Sequence, residues 1–336
     1  MQGCLAPASP QVSVVIPTYN RAALLPRAIR SVLSQTFPDI ECIVVDDGST
    51  DHTAALVEGF QDPRLRFLRL SVNRGVGHAR NVGIQSARGE LIAFLDSDDE
   101  WLPQKLERQV KRMRETADPG VAVIYCLSCQ YDGAADRMKP HRTIIYEGDV
   151  FGHLLTGWCP PTASLFLVKR ASLQEIGGFD ERLPYAEDHD LWLRLAEAHN
   201  HFAAVGELLV SKHENRGPQL STDPFVRLGG TRLLDRKWEP VIKRHLGSMG
   251  YRQWRARQDR LIKGFLISRQ KKYDTVSGDR VQSWRLVLML LRLLPWARWH
   301  LIHGLVLLIR GPRVYGTIWW VKKAVGWGAG SHRTSE

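Results

Sequence analysis

Four short apolar runs, at residues 12–17, 40–45, 65–70 and 91–95, alternate with stretches whose apolar residues recur at helical spacing. Leu25, Ala28, Ile29, Val32 and Leu33 show that spacing after the first run. Strand-length runs separated by single helical segments predict a mostly parallel sheet flanked by helices, an α/β class of fold. Beyond residue 98 the pattern changes. A helix is expected over residues 102–115, strands over 121–131, 143–146 and 164–169, a turn at Gly177-Gly178-Phe179-Asp180, and a helix over 186–198. This half reads as mixed sheet and helix packed on the first.

The apolar runs end on polar residues. Asp96-Ser97-Asp98 closes the run 91–95, so two carboxylates stand at the tip of a buried strand. Carboxylates beside a core are costly unless a cation or hydrogen-bond donors compensate them. At a strand's carboxyl end in an α/β sheet a ligand often does so, and Mg²⁺ or Mn²⁺ held by one or two carboxylates plus phosphates is a standard form. Asp46-Asp47-Gly48-Ser49 follows the run 40–45 in the same way. Ser49 or Asp51 there reads as a helix cap, and Asp47 as an acceptor for a base or ribose. Tyr19, past the first run, is either a stacking face for a base or a core aromatic.

Gly75-Val76-Gly77 looks like a dinucleotide loop, but Arg80 occupies the third glycine position, so that fingerprint is not met. Arg80 reads equally as a phosphate contact or an ion-pair partner. Glu187 and Asp188 open an apolar-faced helix, where acids are favoured by the first-turn N–H groups. One such carboxylate aimed at a reacting centre also suffices as a general base.

Charge is unevenly distributed. Residues 1–250 hold 29 Lys and Arg against 31 Asp and Glu, whereas residues 251–336 hold 17 against 4, with seven of the eleven Trp. A near-neutral body is followed by a basic, Trp-rich segment. Five cysteines form no disulfide framework and imply a reducing compartment. No signal peptide is apparent, and residues 1–11 read as a disordered lead-in. Residues 284–309 are apolar but interrupted by Arg285, Arg292, Arg298, His300 and His303. They are too broken to span a bilayer and suit either an interfacial helix on an anionic leaflet or a core-packing helix pair.

Taken together, the motifs resemble those of the family 2 inverting glycosyltransferases. The matching residues are Val14-Val-Ile-Pro17-Thr-Tyr-Asn20, Val45-Asp46-Asp47-Gly48-Ser49-Thr50-Asp51, Ala79-Arg80-Asn81, Phe94-Leu-Asp96-Ser-Asp98-Asp99 with Trp101, Gly177-Gly178-Phe179-Asp180 and Glu187-Asp188-His-Asp190-Leu-Trp192. The basic, Trp-rich residues 216–336 are expected to form a helical, membrane-associated extension. The resemblance implies the glycosyltransferase type A fold over residues 12–215. It implies that Pro17, Tyr19, Asp47, Arg80 and Asp96 bind a nucleotide sugar. Asp98, with Asp96, would hold Mn²⁺ or Mg²⁺, and Asp188 would deprotonate the acceptor hydroxyl. Glu187, His213 and Arg216 are further candidates, His213 as a third metal ligand.

The Gln-x-x-Arg-Trp motif of processive members is absent after Asp188, so transfer of single sugars is expected. The donor expected is a UDP-sugar, the acceptor a glycan or lipid-linked saccharide, and the setting the inner face of a membrane with an anionic surface as partner and no nucleic acid. Two alternatives remain at this stage. One is a nucleotidyltransferase on a sugar phosphate, which calls for a basic glycine loop where Pro17-Thr-Tyr-Asn-Arg21 stands. The other is a non-catalytic scaffold that binds membrane or nucleic acid through the basic end.

Overall fold

The computed structural model describes residues 9–132, 137–141, 144–213 and 223–272. Strands β1 (Val12–Thr18), β2 (Ile40–Asp46), β3 (Leu65–Arg69) and β4 (Leu91–Phe94) are joined through helices α1 (Leu25–Leu33), α2 (Thr53–Glu58) and α3 (Val76–Ser86). Every residue of β1, β2 and β4 is buried, which is why their sequences are largely apolar and not alternating, and the buried Ser13 and Glu41 among them satisfy each other at 2.6 Å. The second half contains β5 (Asp99–Trp101), α4 (Lys105–Glu115), β6 (Val121–Asp132), β7 (Arg137–Pro140) and α5 (Phe151–Leu155). A 3₁₀ turn (Ala163–Leu165), β8 (Phe166–Lys169), α6 (Arg170–Glu175), α7 (Glu187–Glu197), β9 (His201–His213) and α8 (Pro224–Lys272) follow.

The nine strands form one mixed sheet in the order β3-β2-β1-β4-β8-β6-β9-β5, with β7 paired to β6. Strands β1 to β4 pair in parallel, β8 runs antiparallel between β4 and β6, and β9 returns parallel to β6. The chain leaves β1 for β2 and β3 on one side and comes back to β4 on the other. Where strand order reverses in this way, a crevice opens beyond the carboxyl ends of the strands. The ends of β1 and β4 flank it.

Two expectations change. Residues 144–146 are not a strand, because side chains take their backbone groups. Trp158 Nε1 donates to the Ile144 carbonyl at 2.9 Å, and Tyr125 Oη lies 2.9 Å from both the Tyr146 nitrogen and its carbonyl oxygen. Strands β5 and β9, in turn, show no clean strand pattern in the sequence. Strand β5 is three residues long and begins with two acids, and β9 shifts register against β6. Strand β9 exists through its pairing with β6, and β5 through pairing with the end of β9, Asp99 opposite Lys212.

Helix α3 lies close against β1. A Cβ on Gly83 would come within 2.3 Å of Val15 Cγ1, so only glycine permits this approach. Helix α8 is interrupted at Gly247, whose φ is 69°. The chain divides into two compact units, Met1–Trp254 and Arg255–Glu336, and of the second the described residues are the last turns of α8. Residues 1–8 of the lead-in, Arg216 and the apolar segment 284–309 lie outside the described residues. Among those described, no helix is long and apolar enough to cross a membrane.

Candidate active site

The loops after β1 and β2 are laced together. Asn20 adopts a left-handed backbone, φ 51°, which lets its Oδ1 accept from the Thr50 and Asp51 nitrogens at 2.8 and 3.3 Å. Its own N–H donates to Ser49 Oγ at 2.8 Å. Ser49 and Asp51 thus brace this turn, and Asp51 Oδ1 also accepts from Thr53 at the start of α2. Pro17 is buried in register with Val45. Tyr19 stands at the rim, 43% exposed, a flat face open to a ligand and not a core aromatic. Asp47 is buried, and its two oxygens accept from the Arg74 and Gly75 nitrogens at 2.9 and 2.7 Å. It fixes the entry to α3 and keeps further lone pairs for a base.

A cluster of acids lies past β4. Asp96 receives Arg80 Nη2 on Oδ1 at 2.7 Å and the Thr162 hydroxyl on Oδ2 at 2.8 Å, and its N–H donates to Ser164 Oγ at 3.0 Å. The buried Asp99 accepts from Ser164 Oγ at 2.7 Å and lies 3.1 Å from Thr162 Oγ1. A threonine hydroxyl has one proton, so Thr162 serves only one of the two carboxylates at a time. Asp98 is half-buried, and its carbonyl accepts from Arg27 Nη2 at 2.8 Å. Lys212, opposite Asp99 on β9, faces the group. Burial opposes its charge, but Asp99, Asp96, Asp98 and Asp188 more than restore it and hold its pKa above the ordinary lysine value.

This crowding shifts the carboxyls. Burial, reinforced by Asp96 and Asp98, pushes Asp99 up to about 6 in spite of Lys212. Asp96 is also desolvated, yet Arg80, Lys212 and the Thr162 hydroxyl bring it below the usual range.

Arg80 joins this cluster to α7. It is 4% exposed, donates Nη1 to Glu187 Oε1 at 2.6 Å, and lies 5.1 Å over the Phe179 ring. Burial works against its charge, but Asp96, Glu187 and Asp188 raise its pKa further. Both terminal nitrogens reach carboxylates, so Arg80 is an ion-pair hub that ties the acid cluster to α7. Next to it, Asn81 brackets Phe179: Nδ2 donates to the Phe179 carbonyl at 2.9 Å and Oδ1 accepts its N–H at 2.8 Å. Gly178 makes room, since a Cβ there would meet Asn81 Oδ1 at 2.5 Å.

Ala186, at φ 62°, turns the chain into α7, whose first residues are Glu187 and Asp188. Burial raises both carboxyls above their ordinary values, and Arg80 opposes the rise in each. Asp188 is raised further by Asp96, and its Oδ1 accepts the His189 N–H at 2.8 Å. A desolvated carboxylate of raised pKa is a stronger base than one in water. The helix is anchored from behind. Asp190, fully buried, accepts from Arg194 Nε at 2.8 Å, Lys237 Nζ at 2.7 Å and Trp238 Nε1 at 2.9 Å, and Lys237 also reaches Asp180 Oδ2 at 2.7 Å.

His213 pairs with Glu100, Nε2 to Oε2 at 2.7 Å, and its ring lies against Tyr131 at 5.0 Å. Among the described residues no three His, Cys, Asp or Glu side chains are arranged to hold an ion unaided. A divalent ion that takes most of its ligands from phosphate and water needs only one or two carboxylates. Asp96, Asp98 and Asp99 bunch past β4 as hard oxygen donors of the kind such an ion takes, so the residues present suit it. Thr162, Ser164 and Asp99 were not among the site residues expected from sequence. Asp99 adjoins the acid motif and offered a signal, whereas Thr162 and Ser164 come from a distant segment and offered none. Lys212 stands beside His213, in a segment to which the family resemblance already pointed.

Residues 13–177 match the family model described as Glycosyl transferase family 2. An uncharacterised glycosyltransferase of Rickettsia typhi is 34% identical over 194 residues, covering 55% of this chain and 58% of its own length. The chain thus spans little more than half of that relative. Escherichia coli WfgD, a UDP-Glc:alpha-D-GlcNAc-diphosphoundecaprenol beta-1,3-glucosyltransferase, is 29% identical over 217 residues, covering 65% of this chain and 82% of WfgD. The structure of S. aureus TarS in complex with UDP-GlcNAc superposes with a TM-score of 0.57 at 22% identity, over 80% of this chain and 74% of that one, which establishes the type A architecture. With its motifs, sheet order and acid cluster in place, the chain belongs to glycosyltransferase family 2 through residues 13–177.

Proposed function

We propose that this enzyme moves single sugars from a nucleotide-diphosphate sugar, a UDP-sugar by preference, to a hydroxyl of a glycan or lipid-linked saccharide, with inversion at the anomeric carbon. The observation that carries the reading is the meeting of Asp96 and Glu187 on one buried guanidinium. It draws the acid-bearing tip of β4 and the start of α7, with Asp188, to one place. Enzymes of this family typically use a divalent metal.

Each residue then has a task. Tyr19 and Asp47 hold the base, between the ends of β1 and β2. Asp98 and Asp96 would hold Mn²⁺ or Mg²⁺, which when bound neutralises the charge developing on the leaving diphosphate. Asp188 takes the proton from the acceptor hydroxyl, a poor nucleophile until that proton moves. One base on one face suffices for a single displacement, and no carboxylate nucleophile is called for. A UDP-sugar donor is supported by the ligand of TarS and by the name of WfgD, and a lipid-linked acceptor by the latter. Such an acceptor and the basic, Trp-rich residues 251–336 agree with work at the anionic inner face of a membrane.

A thermal-shift screen of UDP and GDP, with and without Mn²⁺, tests the donor, because a ligand of the native state raises the melting point. UDP with Mn²⁺ is expected to give the largest shift, and Asp98→Ala to abolish the metal-dependent part. No shift with any nucleotide diphosphate sinks the reading.

A further inference from the structure

Lys105 has no evident local reason to be a lysine. Its side chain lies on α4 at 0% exposure, and among the described residues no carboxylate pairs with it. Burying an ammonium is costly, and burial lowers this one to about 8. A methionine would occupy a similar volume without that cost.

Two side chains meet the ammonium directly, and the buried Cys126 thiol lies near enough to feel its charge. Gln109 Oε1 accepts from Nζ at 2.6 Å, and the Trp101 ring centroid lies 3.8 Å away. An ammonium only donates, so it dictates which end of the Gln109 amide faces it. Both amide hydrogens are then left for the Leu165 carbonyl at 2.8 Å and the Ile124 carbonyl at 3.3 Å. Trp101, held under the ammonium, donates Nε1 to the Ser164 carbonyl at 2.9 Å. The two neighbours therefore grip consecutive carbonyls of one 3₁₀ turn. The same turn carries the Ser164 hydroxyl, which accepts from the Asp96 nitrogen and donates to Asp99, and it follows directly on Thr162.

We propose that Lys105 is a positioning residue for the acid cluster. By orienting Gln109 and Trp101 it fixes the turn 162–165, and through that turn Asp99 and Asp96, the latter a proposed metal ligand. The second step rests on the function proposed above; the first does not. The charge acts through geometry, since Lys105 contacts neither aspartate and would touch no substrate. Its cost in stability is the counterpart of a fixed hydroxyl pair at the site.

The test compares the wild type with Lys105→Met by three readouts: melting point, hydrogen exchange at the Asp96 and Ser164 amides, and calorimetric titration with UDP in the presence of Mn²⁺. The variant is expected to melt at or above the wild-type temperature, to exchange faster at both amides, and to bind Mn²⁺–UDP about tenfold more weakly or worse, as loss of groups that orient metal ligands does. Trp101→Phe keeps an aromatic face but loses the indole N–H that holds the Ser164 carbonyl, and it is expected to reproduce the last two changes. It decides the matter if Lys105→Met does not fold. Wild-type exchange at Asp96 and Ser164 in the variant overturns the proposal, as does wild-type Mn²⁺–UDP affinity. If the wild-type protein itself binds no nucleotide diphosphate, the donor reading falls, and the exchange rates alone judge Lys105.

Discussion

Arg80 and Glu187 are 107 positions apart in the chain and meet at 2.6 Å in the core. The same guanidinium, itself 4% exposed, holds Asp96 at 2.7 Å, so two acids converge on one buried charge. A charge in such a place is held by its partners, and removing one partner strands the others.

Arg80→Met is accordingly expected to cost about 3–5 kcal/mol of stability, because Asp96 and Glu187 lose their counter-charge. Arg80→Lys should recover only part of this, since one ammonium lacks the fork that serves both carboxylates. Urea denaturation of the three proteins measures it. A methionine variant as stable as the wild type contradicts the hub.

Asp188→Asn keeps the shape of the side chain and removes the base. Turnover should fall by about 10²–10⁴-fold while UDP affinity with Mn²⁺ stays near the wild-type value. Steady-state kinetics alongside calorimetry separates the two. Loss of affinity with unchanged turnover would move Asp188 from the acceptor side to the donor side.

Gly83→Ala introduces a Cβ that would stand 2.3 Å from Val15 Cγ1 and 2.9 Å from Val15 Cγ2. Alanine is the better helix former by about 1 kcal/mol, yet overpacking at this contact should outweigh the gain and leave a net loss of about 1–3 kcal/mol. A higher melting point for the variant would show that α3 and β1 can part without cost.

Lys105 also predicts a pH dependence. Its folded value of about 8 lies below the ordinary 10.5, so between these values the unfolded chain binds more protons than the native one. Stability from this group therefore rises with pH from about 8 to 10.5, by an order of 3 kcal/mol, and is lowest below 8. The stability difference between Lys105→Met and the wild type should be largest at pH 7 and shrink towards pH 10. A difference independent of pH would mean that the lysine is not desolvated.

The sequence by itself determined the frame. Buried parallel strands are largely apolar, so β1, β2 and β4 were legible as runs, and the residues that close them marked the strand ends at Pro17, Tyr19, Asp47 and Asp96. What each acid does there was decided by tertiary structure. Glu187 and Arg80 meet only because α3 and α7 pack together, and no periodicity carries a contact across 107 positions. Thr162 and Ser164 reach Asp96 and Asp99 from a turn with no motif, and Lys212 comes to them on β9, a strand with no pattern of its own. Local composition dictates which segments hide from water, but the partner of a buried charge is chosen in three dimensions, where desolvation makes an unpaired ion too costly to keep.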